Sequence, residues 1–169
     1  VLASVARSVS DPPRLFVLGR GEERELAEAR AETERLGIAH LVTFAGFVNP
    51  PFPFFRDASL LVYPTLYDAF PDTVLEALHA GCPVIARSVG GLPDILYDPR
   101  LLFPSGDVGA IATRIVRMIQ DPSYYQDIRQ LSRARADLFR FDWAARWHDA
   151  MAEHAVVEQK KVQHAKDDE

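Results

Sequence analysis

Short apolar runs alternate with longer amphipathic stretches along this chain. Leu2, Val5, Ala6 and Val9 recur at helical spacing, and Asp11-Pro12-Pro13 ends that helix and launches Leu15-Phe16-Val17-Leu18 as a buried strand. Gly19-Arg20-Gly21 then turns the chain into a charged helix over residues 22–36, with Leu26, Ala29, Thr33 and Leu36 on one side and Gly37 as its stop. A strand over 41–44 follows, then the loop Gly46-Phe47-Val48-Asn49. A short aromatic helix over 50–57 turns Phe52 and Phe55 inward, and residues 59–63 form a further strand. The segment 71–80 has Val74, Leu75 and Leu78 as a buried stripe, with Pro71 at its first position and Gly81 after its last turn. Val84-Ile85-Ala86 resumes the sheet, Gly90 to Asp94 opens a short helix, and Leu101-Leu102-Phe103 is the last strand. Helices over 107–121, 122–138 and 143–157 complete the pattern before a solvated tail over 158–169. Trp143, Trp147 and Met151 make an apolar stripe on the final helix.

Continuous apolar runs joined by helix-length connections indicate parallel strands covered on both faces, because a parallel crossover needs a dozen or more residues. The fold class is therefore α/β, a Rossmann-like doubly wound parallel sheet flanked by helices, occupying residues 1–157. In such sheets ligands bind beyond the carboxyl ends of the strands, where loops meet helix N-termini.

Composition narrows the function classes. Apolar residues are 48% and charged residues 25%, the balance of an ordinary globular protein. A net charge of −5 argues against a nucleic-acid footprint, which draws on clustered Lys and Arg. The single cysteine, Cys82, cannot close an internal disulfide, and no His/Cys cluster has zinc-ligand spacing, which together fit a reducing cytoplasm. No apolar run approaches the length of a membrane span. Val1 to Arg7 lacks both an initiating Met and the layout of a signal peptide, so the chain is expected to be a piece of a larger protein.

The informative stretch is Pro64-Thr65-Leu66-Tyr67-Asp68-Ala69-Phe70-Pro71-Asp72-Thr73-Val74-Leu75-Glu76-Ala77. A strand ends at its start, and a helix beginning near Pro71 points unpaired N–H groups into the crevice, with a partial positive charge of roughly half a unit that suits phosphate. Glu76 lies in the second turn, on the side shared with Asp72, Thr73 and His79. Its carboxylate, an acceptor only, suits the vicinal hydroxyls of a ribose. Asp68 lies in the loop ahead, nearer the sugar end of an extended nucleotide-sugar.

Residues 64–86 resemble the retaining glycosyltransferases with two facing Rossmann-like domains, the GT-B architecture, and specifically family 4. The resemblance rests on an acidic pair separated by seven residues followed by Glu76-Ala77, Gly81, Pro83-Val84-Ile85, and on Gly90-Gly91-Leu92-Pro93-Asp94 and Leu102-Phe103-Pro104-Ser105-Gly106-Asp107. Val17-Leu18-Gly19-Arg20-Gly21 and the stretch from Leu36-Gly37-Ile38 to Phe47 extend it upstream. It implies that Glu76 holds the donor ribose and that Asp68 lies by the transferred sugar, these two being the catalytic candidates. Ala69, Phe70 and Pro71 would line the sugar pocket, Thr73 and Val74 would give main-chain N–H groups to the diphosphate, and Gly46, Phe47 and Val48 would pack near the base. The implied donor is a nucleotide-diphosphate sugar, with no metal and no other cofactor. The implied partner is an N-terminal acceptor-binding domain of the same protein, with peripheral contact at the inner face of a membrane. The pathway expected from the family is prokaryotic, for surface polysaccharide, lipid-linked sugar or glycoconjugate. Two departures are visible: the first acid, commonly Glu in the family, is Asp68 here, and the family's opening strand with its Gly-Arg…Lys phosphate clamp is not in the sequence.

Two alternatives accompany this reading, a GT-B nucleotide-sugar epimerase and a non-catalytic nucleotide-binding or interaction domain. Other features read as structural. Gly19-Arg20-Gly21 lacks the third glycine of a dinucleotide fingerprint and reads as a turn after a strand. Gly90-Gly91 reads as a tight turn with close packing, Cys82 as a small buried apolar group, and His79, on the side of Glu76, as a histidine with its hydrogen bonds satisfied, ligand contact being the alternative.

Overall fold

The alternation of apolar runs and amphipathic stretches becomes an alternation of strands and helices. The computed structural model describes residues 1–104 and 106–140, and the compact unit they build is Val1–Asp137. Ser105, the expected helix over 143–157 with Trp143, Trp147 and Met151, and the boundary at 157/158 lie outside the described residues. In chain order the elements are α1 (Leu2–Ser8), β1 (Leu15–Leu18), α2 (Glu23–Arg35), β2 (Val42–Gly46), α3 (Phe52–Asp57), β3 (Leu61–Tyr63), α4 (Asp72–His79), β4 (Val84–Arg87), α5 (Leu92–Leu96), β5 (Leu102–Phe103), α6 (Val108–Gln120) and α7 (Pro122–Leu138). Local chemistry sets their ends. Glu22 and Glu25 form a capping box at the start of α2, Gly37 follows α2 with φ 70°, and the Asp107 carboxylate accepts the Ala110 N–H at 2.7 Å to start α6.

Every strand pairing is parallel, as the crossover helices require. β1 pairs with β2, Leu15 opposite Val42 and Leu18 opposite Gly46. β4 pairs with β3, Tyr63 opposite Ala86, and with β5, Arg87 opposite Phe103. The α/β class expected from the pattern holds, with one difference: the described strands form two ladders, β1-β2 and β3-β4-β5, where one continuous sheet is expected.

The core belongs to the three-stranded ladder. Successive residues of β4 point to opposite faces. Ile85 packs with Phe103 and Ile111, with Leu60, Val62 and Ile115 around them. Val84 and Ala86 face the other way and are fully buried. There the Val84 N–H donates to Ser132 Oγ of α7 at 3.1 Å. Helix α4 contributes Val74, Ala77 and Leu78, and α5 contributes Leu92, Ile95 and Leu96. Helix α1 packs on α6 and buries Ala3 and Val5.

The buried strand expected at Leu15–Leu18 is not buried. Leu15, Phe16 and Val17 are 39%, 51% and 37% exposed, and α2 buries no residue. The cause is the ladder: among the described residues β1 has a hydrogen-bonded neighbour on one side alone, and the apolar side of α2 is only half-buried. Two further residues differ. Phe55 is buried as expected, whereas Phe52 is 48% exposed. Leu75, expected in the buried stripe of α4, is half-buried and faces a cleft instead.

Candidate functional site

The carboxyl ends of the strands carry Gly19 after β1, Phe47 to Pro51 after β2, Thr65 to Pro71 after β3 and Ser88 to Gly91 after β4. Two clefts open among them on either side of Glu76. The first, about 330 Å³, is lined by Gly19, Phe47, Val48, Thr73 and Glu76 among others. The second, about 410 Å³, lies between Pro50-Pro51-Phe52 and the side of α4 that carries Asp72, Leu75, Glu76 and His79. Glu76 is exposed, and its carboxylate has no hydrogen-bond or ion-pair partner among the described residues. Val74, Ala77 and Leu78 face the core, so the helical period leaves Glu76 outward. His79, one turn on, is tied down by its Nδ1, 2.8 Å from the Leu75 carbonyl.

Across the first cleft the Arg20 guanidinium lies 4.4 Å above the centre of the exposed Phe47 ring, a cation–π contact that places positive charge on the rim. Gly46 ends β2 and accepts the Gly19 N–H at 2.8 Å, which ties the two loops together. At the start of α4 the N–H groups of Asp72 and Thr73 have no backbone partner among the described residues. At Val74 the side chain is fully buried and the N–H donates to the Pro71 carbonyl at 3.1 Å.

Asp68 sits at a separate corner. Its Oδ2 accepts the Tyr63 hydroxyl at 2.9 Å and its Oδ1 accepts the Phe70 N–H at 3.1 Å. The second bond is an Asx turn, which the short Asp side chain makes to the amide two residues on. Burial, and then the hydrogen bond to the Asp68 carboxylate, push the Tyr63 phenol up to about 12, so it remains a donor at neutral pH. Gly91 N–H donates to the Asp68 carbonyl at 3.0 Å. A Cβ on Gly90 would overlap the carbonyl oxygen of Asp68, and one on Gly91 that of Ala69. The corner Asp68-Ala69-Phe70 therefore rests directly on the Gly90-Gly91 backbone.

The structure thus brings Phe47, Thr73 and Glu76 to one cleft, with Gly46 just behind it. It gathers Asp68, Ala69, Phe70 and Pro71 into the corner that leads into α4, outside the lining of either cleft. The pair Pro50-Pro51, of which Pro51 lines both clefts and Pro50 the second, escaped the sequence reading; a Pro pair in a strand-to-helix loop is its only signal. Among the described residues no helix is long and apolar enough to cross a membrane.

The sequence family described as Glycosyl transferases group 1 matches residues 1–121. The chain is 30% identical over 136 residues to an uncharacterized glycosyltransferase of Methanocaldococcus jannaschii, covering 77% of this chain and 34% of that protein. Among solved structures it resembles HepE of Anabaena in complex with UDP, with TM-score 0.77 at 23% identity over 92% of this chain and 44% of that one. It also resembles the C-terminal domain of a glycosyl transferase group 1 family protein, LpcC of Francisella tularensis, with TM-score 0.70 at 23% identity over 82% of this chain and 75% of that one. The chain spans about a third or less of the length of the first curated relatives it matches, 34%, 27% and 25%. With a match across most of its length and the same parallel α/β fold, this chain belongs to the glycosyl transferases group 1 family.

Proposed function

We propose that this chain is the donor-binding half of a retaining glycosyltransferase that moves a sugar from a nucleoside-diphosphate carrier to an acceptor held by the rest of the protein. The observation that carries the reading is Glu76: an exposed carboxylate without a partner, set between two clefts one turn inside α4, whose first amides are open. A nucleoside diphosphate fits this layout. The base lies by Phe47 and Val48, with Gly46 supporting their loop, and Glu76 accepts from the ribose hydroxyls. The diphosphate meets the Thr73 amide, and the sugar extends towards Ala69, Phe70 and Pro71. That the same fold holds UDP and UDP-glucose in HepE of Anabaena supports the reading.

The chemistry asked of the protein is positioning and charge stabilisation. Oriented amides and the helix dipole favour the charge that develops on the departing diphosphate, and no protein nucleophile is required. Configuration is retained when the acceptor attacks on the face from which the diphosphate leaves. The residues described here need no divalent cation in these roles, so turnover in the presence of EDTA is expected to match turnover without it.

The test is calorimetry of the full-length protein with UDP, GDP and ADP. One of the three should bind, and Glu76→Ala should weaken it about 10- to 100-fold, the loss of one or two hydrogen bonds to a charged acceptor. Equal affinity in wild type and Glu76→Ala would remove the reading.

A further inference from the structure

We infer that Arg20 selects the base of the donor: its guanidinium, held on the Phe47 ring at the rim of the first cleft, favours a base with a ring carbonyl, a 4-oxopyrimidine or a 6-oxopurine, over one with an amino group in that place. The inference rests on the donor reading of this cleft and adds the substrate class that the reading leaves open.

Three observations carry it. The first is the make-up of the cleft: its helix wall carries Thr73 and Glu76, whereas its loop wall is mainly apolar, with Phe47, Val48 and Pro51. Glu76 suits hydroxyls and the open amides of α4 suit phosphate, so the flat part of a nucleotide, its base, falls to the loop wall, where the Phe47 ring is 61% exposed. The second is the state of Arg20. Its guanidinium lies 4.4 Å from the centre of that ring, and no hydrogen bond or ion pair engages it among the described residues. Glu22 and Glu25, close to it in sequence, are committed to the capping box of α2. A guanidinium held on a ring keeps its N–H fork for hydrogen bonding and has less freedom to lose when it binds. The third is position. Arg20 follows β1 and Phe47 follows β2, and these strands pair with each other and, among the described residues, with no other strand. Arg20 therefore stands on the loop side of the cleft, with the base, and not on the α4 side, with the phosphates.

Discrimination follows from the inventory of donors and acceptors. Arginine only donates. The 4-carbonyl of uracil and the 6-carbonyl of guanine accept from it, whereas the amino groups that cytosine and adenine carry in those places donate, and leave the fork unpaired. Asn49 is the polar side chain on the loop wall, and its amide both donates and accepts, so it fits either kind of base and does not choose. The choice falls to Arg20.

The experiment is calorimetry of the full-length protein with two pairs of ligands that exchange the carbonyl for an amino group, UDP against CDP and GDP against ADP. In the pair that binds, the carbonyl-bearing ligand should be at least about tenfold the tighter. Arg20→Ala should weaken that ligand about 10- to 100-fold and bring the pair within about threefold of each other. Arg20 is exposed, so a melting temperature equal to wild type serves as the folding control. The loss should be the same for the nucleoside monophosphate as for the diphosphate, because the contact is with the base. A wild type that binds both members of a pair alike or prefers the amino-bearing one, or a preference that survives Arg20→Ala, would overturn the inference. A loss much larger for the diphosphate than for the monophosphate would overturn it too, by placing Arg20 on the phosphates. If wild type binds none of the four ligands, the donor reading itself fails; binding without a carbonyl preference leaves that reading standing and removes this inference alone.

Discussion

At Gly90 and Gly91 the loop after β4 approaches the Asp68-Ala69 backbone so closely that a methyl group has no room. The two glycines differ in what they demand. Gly90 has φ 56°, so a side chain there is strained by backbone conformation as well as by contact. Gly91 has φ −83°, a conformation open to any residue, so its requirement is purely steric. Gly91→Ala therefore isolates the contact. The added Cβ meets the Ala69 carbonyl, and the corner must move away while the Gly91 N–H to Asp68 carbonyl bond at 3.0 Å stretches. We expect a loss of about 1–3 kcal/mol in unfolding free energy, the usual cost of forcing a methyl group into packed backbone, together with reduced turnover in the full-length protein. Urea denaturation checks the first part; an unaltered midpoint would mean that the loop and the corner do not bear on each other. The glycine pair was legible in the sequence as a place of close approach. What it approaches was not, because the contact joins residues more than 20 positions apart.

At the scale of elements the informative joint is between α7 and β4. Ser132 is 2% exposed, and its hydroxyl accepts the Val84 N–H at 3.1 Å. It sits beside Ile128 and Ala136 on the buried stripe of α7, so the hydroxyl fixes where the helix lies along the strand. Arg135, next on the same helix, donates to the carbonyls of Ile95 and Asp94 at 2.6 and 2.8 Å, which closes the C-terminal end of α5. Ser132→Ala leaves the Val84 N–H without an acceptor in a dry interface. The expected cost is about 1–3 kcal/mol, seen as a lower urea midpoint at unchanged slope; no shift would show that the strand N–H finds another partner. The sequence marked the helix by its period and its bounds closely, yet it assigned Ser132 no role. A polar residue on a helical stripe announces an exposed face unless its partner is known, and the partner is a strand 48 positions upstream. The same reasoning explains β1. Leu15-Phe16-Val17-Leu18 was recognisable as a strand from its apolar run, but burial is conferred by neighbours, and a run of four residues says nothing about how many strands lie beside it.

Across the whole unit the division of labour is between a ladder with a core and a ladder without one. Residues that bury most deeply come from α1, α4, β4, α5, β5 and α7 and the turns beside them, whereas between Leu15 and Gly46 Ile38 alone is buried. Yet both ladders feed the candidate site: Gly19 and Phe47 come from the ends of β1 and β2, and Thr73 and Glu76 from the helix after β3. That Thr73 and Glu76 border a cleft could be anticipated from the sequence because α4 follows the carboxyl end of a parallel strand, where such folds place ligand sites, whereas Phe47 entered through the family resemblance. The division itself could not be anticipated, since periodicity is identical in the two halves. It has a consequence for motion, because opening free energy follows the apolar surface a segment buries. The hydrogen-bonded amides of β1, β2 and α2 should therefore exchange roughly tenfold or more faster than those of β3, β4 and α4, although both groups are regular secondary structure. Addition of the nucleoside diphosphate that binds should slow the faster group more than the slower one, because the ligand spans Phe47 on one ladder and Glu76 on the other and so couples the looser half to the firm one. Uniform protection in the free chain would show that β1 and β2 draw stability from contacts other than apolar burial, and slowing confined to β3, β4 and α4 would place the ligand on the three-stranded half alone.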